Sequence, residues 1–402
     1  MTRAQQPLVV RARWVACGPE RLLEGASLVV RDGRIERVAR GRVRIERARE
    51  VDLGEAIVAA GMVNAHAHLE LGALAGRTPR GGDFAAWVRA VIALRARASR
   101  AELVAAARAG ASRALATGTT CVLDIDTTSA AARALGRHSI RSVVLREVLD
   151  AHDAARTQPA LDGVRRPLRA AGRRREGLSP HAPFTVSPEL LAGAAAIARA
   201  RALPVQMHWS ETEAEVQWMT SGTGPLAGLL GASPQRSALD LLEAAGLLGP
   251  GLSLVHGNVP ARGEARRLAR RGVTLVHCPG SHAWFERERW DWRGYARAGV
   301  EVALGTDSLA SNEDLDLRRE LRLAAQAQPW LSPEALWRAA TVAGARAAGA
   351  SERLGRLEPG FSADFLVLPA RARSASAALE ELCLGATPVA AVWVEGRPSL
   401  SR

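Results

Sequence analysis

Two histidines one residue apart, His66 and His68 in the string GMVNAHAHLE, are the first residues of this sequence with the makings of a reaction centre. On an extended segment alternate side chains point the same way, so both imidazoles of such a pair reach one ion. With His208 in HWSE and Asp307 in GTDS they make three neutral nitrogens and one hard anion. That set suits Zn2+ or Fe2+ and leaves a position for water. Glu211 stands three residues past His208, where a carboxylate can lie beside a metal without ligating it. Burial there would raise its pKa toward the range useful for moving protons; a helix-N-terminal charge is the other reading. His256 in LVHGN either steadies an attacking hydroxide or is a satisfied core histidine. His181 in SPHAPFT and Glu70 in HLE divide between substrate contact and scaffold hydrogen bonding.

Six of the nine histidines (His66, His68, His181, His208, His256 and His277) fall at or just past the end of an expected strand, as does Asp307. The strands are IVAAGMVN, TTCVLDID, RSVVLREV, GLSPHAP, PVQMHWSE, LSLVHGNV, VTLVHCPG and VEVALGTDS. Most are continuous apolar runs, as in parallel strands buried on both faces. Segments of helical period such as 187–202, 260–271 and 316–328 separate them. Eight such units over residues 57–356 predict an α/β fold, a (β/α)8 barrel whose strand ends open on one face. The β-rich stretches at both ends, 1–56 and 357–402, predict a small β-sandwich domain built from the two chain termini. Ala151 to Gly177 reads as a surface excursion after the third strand.

The 402 residues are 48% hydrophobic and 24% charged, enough for a large core. The apolar stretches are broken before about 18 residues and no signal-peptide run is evident, which predicts a cytoplasmic chain without a membrane partner. Cys17, Cys121, Cys278 and Cys383 lack the spacing of a thiolate zinc site or a disulfide framework. All 54 basic residues are arginine. The absence of lysine removes Schiff-base chemistry, the P-loop lysine and any metal pair bridged by a modified lysine. A net charge of +13 would suit a nucleic-acid surface. Clusters such as Arg173 to Arg175 sit among Ala, Gly and Leu, however, so the basicity reads as coding bias and no nucleic-acid partner is expected.

GMVNAHAHLE, SPHAPFTVSPEL, HWSETEAE, LVHGN, VHCPGS and GTDSLASNEDLDL, in that order, resemble the amidohydrolase superfamily in its mononuclear deaminase and chlorohydrolase-like branch. LGRLEPGFSADFLVL resembles that branch's return into its β-domain. The resemblance implies one divalent metal, zinc first and iron second, on His66, His68, His208 and Asp307. It implies that Glu211 shuttles protons, His256 positions the hydroxide and Asp307 takes a proton from water. His181 would contact the heterocycle and Glu70 a ribose or similar polar group; Trp87 and Ser308 join them as substrate-binding residues, with Phe84 beside Trp87 at the mouth. Within the branch the chain is most similar to aminofutalosine deaminases, which act on an adenine-bearing intermediate of menaquinone biosynthesis. The expected activity is therefore deamination of an aromatic N-heterocycle, 6-amino-6-deoxyfutalosine being the single best guess. The alternative is a chlorohydrolase or a cyclic-amide or guanine-type hydrolase. A homodimer is allowed for. One departure stands out: the branch commonly reads CPxSN where this chain has Cys278-Pro279-Gly280-Ser281-His282. The aromatics that follow, Trp284, Phe285, Trp290 and Trp292, read equally as a lid over a flat ring or as packing for the loop.

Overall fold

The computed structural model describes residues 6–401 apart from 170, 229 and 231. Eight parallel strands follow one another around a barrel: Met62–Ala67, Thr119–Asp126, Arg141–Val148, Arg174–Pro180, Val205–Trp209, Leu252–His256, Thr274–His277 and Glu301–Leu304. They are called here barrel strands one to eight. Six of the eight are interior runs with every residue or all but one buried, as parallel strands covered on both faces require. Backbone bonds close the ring: the carbonyl of His66 accepts from the amides of Thr306 (3.0 Å) and Asp307 (3.1 Å). Closure therefore brings Asp307 against the histidine pair.

The helices expected over 187–202, 260–271 and 316–328 are Pro188–Arg201, Glu264–Arg271 and Leu317–Ala327. Their starts are chemically marked. The Ser187 hydroxyl accepts from the Leu190 amide ahead of a proline at the first helical position. Ser99 and Glu102 form a reciprocal capping box at the start of Arg100–Ala116. The stretch 151–177 differs from expectation: it contains a helix, Ala154–Arg165, opened by Asp153 as cap, and the start of barrel strand four. Pro159 sits inside that helix, whose Leu161 and Val164 are buried.

The terminal segments form a second sheet of eight strands, with 8–60 pairing against 365–401. It is one continuous hydrogen-bonded sheet that curls around its own core of Leu28, Ile35, Val58, Phe365 and Trp393. The curl brings the edge strand Arg34–Arg40 onto the segment before Phe365, where Ile35 donates to the Phe361 carbonyl (2.8 Å).

The run IVAAGMVN is two strands rather than one. Ala56–Ala60 lies in the terminal sheet between Leu8–Gly18 and Phe365–Pro369, and Met62–Ala67 opens the barrel. Gly61 donates to Asp364 of the terminal sheet (2.9 Å), and Met62 donates to Gly118 beside the barrel (3.1 Å). A Cβ at Gly61 would lie 2.1 to 2.7 Å from three side-chain atoms of Thr120, so only glycine fits. Gly61→Ala is expected to cost about 1–3 kcal/mol, the usual penalty for overpacking, read as a lowered urea midpoint. An unchanged midpoint would mean that Thr120 moves aside freely.

Candidate active site

His66, His68 and His208 converge at the C-terminal mouth of the barrel, each with one ring nitrogen within 4.8 Å of the others. Alternation puts His66 and Asn64 on one side of barrel strand one, and Gln206 and His208 on one side of strand five. The hydrogen bonds then set the tautomers. His66 Nδ1 meets Gln206 Oε1 at 2.7 Å while the Gln206 amide donates to Ala65 O and Ser253 Oγ, so His66 carries its proton on Nδ1. His208 Nδ1 donates to the His181 carbonyl at 2.9 Å. Both rings thus present a bare Nε2 to the centre, and the His66 Nε2 is buried with no hydrogen-bond partner. His68 Nε2 lies 3.2 Å from His208 Nε2. Asp307 Oδ1 lies 3.7 and 3.8 Å from the Nε2 atoms of His66 and His68. Its Oδ2 is held by Ser281 (2.7 Å) and Ser311 (2.9 Å). Burial, aided by the neighbouring His66, holds His68 down at about 4, so the ring is a neutral donor. Three neutral nitrogens and a carboxylate oriented by second partners make a donor set that fits one divalent cation of the zinc type. The four cysteines are buried and unpaired.

Around this group the other expected residues take distinct places. Glu211 is buried, and its Oε2 lies 3.5 Å from His256 Nε2. Its Oε1 and its carbonyl accept from Arg287 at 3.0 and 2.8 Å. Burial raises the Glu211 carboxyl above the ordinary range, and Arg287 opposes that rise. Glu215 accepts from the amides of Ser210 and Glu211, pinning the turn that carries Glu211. Burial pushes His256 well below its ordinary value, which makes it a neutral imidazole. His256 and Asp307 are held at φ of +77° and +57°. Such left-handed backbone costs a non-glycine residue about 1–3 kcal/mol.

Thr185 donates its hydroxyl to Ala182 O, so His181 Nδ1, 2.7 Å from Thr185 Oγ1, is the donor in that pair and Nε2 is left as an acceptor. Glu70 is 0% exposed; Thr128 donates to its Oε2 at 2.5 Å, while Oε1 has no partner. Burial raises Glu70 to about 7 in spite of the Thr128 bond. The Ser308 hydroxyl is spent within its loop, against Ser311 Oγ and the Ala310 amide. Trp87 donates its indole N–H to Ala310 O (2.7 Å), and its ring packs with Phe84 and Phe285.

The aromatic loop resolves in favour of packing for three of its members. Trp290 stacks on His277 at 4.1 Å, which takes His277 out of the metal-binding group, and Trp290 and Trp292 are both buried. Trp284 donates to Pro79 O. Phe285 instead joins the cluster over which the Arg287 guanidinium lies, 4.8 Å from the Phe285 ring. His282, standing where asparagine is usual, bonds through Nε2 to the Glu288 carbonyl at 2.5 Å and ties the loop to itself.

Sequence reasoning missed Gln206, Ser281, Ser311 and Arg287. Gln206 had a signal, as a polar residue two before His208 in the otherwise apolar strand VQMHW. Ser281 and Ser311 lay within the strings quoted above. Arg287 had none, being one of 54 arginines.

Residues 57–398 match the sequence profile of the amidohydrolase family. An aminodeoxyfutalosine deaminase of Deinococcus radiodurans is 36% identical over 73% of this chain and 74% of its own length. A 5-methylthioadenosine/S-adenosylhomocysteine deaminase of Halobacterium salinarum is 34% identical over 79% and 74%. Among solved structures, a zinc-bound adenosine deaminase from Xanthomonas campestris superposes with a TM-score of 0.84 at 27% identity, over 98% of this chain and 93% of that one. An aminofutalosine deaminase from Helicobacter pylori gives 0.86 over 97% and 99%, at 18% identity, a likeness of fold.

Proposed function

We propose that this chain, which belongs to the amidohydrolase family and is a hydrolase of C–N bonds, deaminates adenine nucleosides with the aid of one divalent metal, and that 6-amino-6-deoxyfutalosine is its substrate. The observation that carries the reading is the convergence of the ring nitrogens of His66, His68 and His208 with Asp307 on one side and the Glu211–His256 pair on the other. The deaminase relatives from D. radiodurans and H. salinarum support an adenosine-like substrate. A metal on those three histidines and Asp307, zinc before iron, would supply Lewis acidity and lower the pKa of water toward neutrality.

The rest of the chemistry falls to the protein's own groups. Asp307, its Oδ2 already held by two serines, accepts the proton of the attacking water at Oδ1. Arg287 occupies Glu211 Oε1, so Oε2 is the oxygen that gives its proton to the ring nitrogen next to the attacked carbon. The ring thereby avoids a build-up of negative charge as water adds. Neutral His256, its Nε2 3.5 Å from that same oxygen, steadies the developing hydroxyl. The C–N bond then breaks, the amine leaves as ammonia with the proton that Glu211 recovers from the added hydroxyl, and the water proton held by Asp307 returns to Glu211 to restore the starting state. Water is consumed, and the heterocycle keeps its tail.

The tail has its own contact. Glu70 Oε1, buried and unpartnered, is an acceptor awaiting a donor, and a ribose hydroxyl supplies one. His181 Nε2 offers a second acceptor, for a hydroxyl or the exocyclic amine of the substrate. Ammonia release from 6-amino-6-deoxyfutalosine, 5′-methylthioadenosine, adenosine, adenine, guanine and a chlorotriazine tests the reading. The first should give the highest kcat/KM. Faster turnover of guanine, or chloride release from the triazine, would overturn it. Glu70→Ala should lower kcat/KM for nucleosides by about 10- to 100-fold, as loss of a charged hydrogen bond does, and leave free adenine nearly unchanged. Equal losses on both would remove Glu70 from tail recognition.

A further inference from the structure

At the end of the barrel opposite the histidines, the starts of strands two to four and the terminal sheet enclose a cavity of about 460 Å3. Its size lies within the ~300–1,000 Å3 of small-molecule sites. Seven arginines line it, against only two carboxylates, Asp32 and Glu395. Glu395 is already committed, to Arg141 at 2.9 Å and to Arg173 at 2.8 Å, and buried Asp364 beneath it also pairs with Arg141. Those two arginines and two acids balance. Arg34 bonds only the Gly360 carbonyl, and Arg174 only the carbonyls of Ala132 and Arg169, which offer dipoles but no countercharge.

Arg175 and Arg353 are the least satisfied. Arg175 reaches the carbonyls of Ala348 and Gly349 only at 3.3 and 3.4 Å. Arg353 bonds through its backbone, to the Ala350 carbonyl and from the Ser362 amide, and its guanidinium makes no hydrogen bond or ion pair among the described residues. Partial burial, and then the positive charge of Arg353, lower the Arg175 guanidinium from its ordinary value. Arginine-rich composition alone does not produce this arrangement. On the helix Glu264–Arg271, for instance, Arg267 is matched by Asp240 and Glu243, and Arg271 by Glu243.

We propose that this cavity binds an anion carrying two or more phosphate groups, which Arg175 and Arg353 contact directly. Planar guanidinium forks match phosphate oxygens two at a time, and the space exceeds what one phosphate fills. The site faces away from the barrel mouth, so its occupancy and the proposed deamination are separable.

Isothermal titration of the metal-loaded protein with inorganic pyrophosphate, at ionic strength fixed with sodium chloride, tests this. One pyrophosphate should bind per chain, and more tightly than inorganic phosphate. Arg175→Gln/Arg353→Gln should weaken pyrophosphate binding by ~10-fold or more through loss of two charge-assisted contacts. Arg266→Gln/Arg270→Gln, which removes equal charge from an exposed helix face, should leave it unchanged. Arg353→Gln alone, at an exposed position, gives a second reading if the double variant fails to fold. The proposal fails if the protein binds no pyrophosphate at millimolar concentration, if the site variants bind as the parent does, or if the helix-face variant weakens binding as much.

Discussion

Glu211→Gln is expected to lower kcat on the preferred nucleoside by roughly 10²- to 10⁴-fold, the range for removing a general acid–base group, with metal content and thermal midpoint close to those of the parent. The geometry makes the substitution specific. Glutamine keeps an oxygen for the Arg287 bond to Oε1 and changes the group on Oε2, the atom 3.5 Å from His256 Nε2. What is lost is an exchangeable proton on a buried carboxyl. A fall in kcat with little change in KM is the signature of an interaction made in the transition state. Near-parental turnover by Glu211→Gln would reassign Glu211 to holding the turn above the helix Glu213–Ser221.

His68→Ala should lower bound metal well below one equivalent per chain after dialysis and abolish turnover with it, because the centre loses one of its three imidazoles and the remaining ligands, His66, His208 and Asp307, are oriented for a site that includes it. His68 is the ligand whose loss is cleanest to interpret, since His66 is bound to Gln206 and His208 to the His181 carbonyl, so removal of either disturbs a second partner. Gln206→Leu is the graded comparison. It leaves every ligand present but frees the His66 ring, and an outer partner of this kind is worth about 10- to 100-fold in metal affinity. Elemental analysis after dialysis distinguishes the cases. Retention of stoichiometric metal by His68→Ala, or a requirement for two metals per chain, would defeat the single-ion centre.

How much of this was legible beforehand followed from what each feature depends on. The barrel strands were readable because parallel strands buried on both faces need continuous apolar runs, and polar residues in or just past those runs, such as His208 in VQMHW, stand out at once. The histidines that converge lie at strand ends, which the fold alone brings to one mouth. The switch at Gly61 was illegible because AIVAAGMV is apolar throughout; what divides it is the Thr120 side chain, far off in sequence. The partners of Arg287 and the burial of Trp290 against His277 depend on where a loop lands, and no local spacing encodes that. Asp307 was found through its position after strand eight, yet its left-handed backbone left no mark in GTDS.

The order in which the chain leaves the ribosome gives the split strand a further meaning. Ala56–Ala60 is an interior strand of the finished terminal sheet only because Phe365–Pro369 pairs along it, and that partner is made only after the whole barrel. At synthesis rates of ~5–20 residues per second the nascent chain carries AIVAA as an open, apolar sheet edge for tens of seconds, while the whole barrel is translated. Loop-closure entropy makes so distant a pairing slow even after release. Protection of that edge, by a chaperone or by early docking of the barrel, therefore governs how much of the newly made protein escapes aggregation.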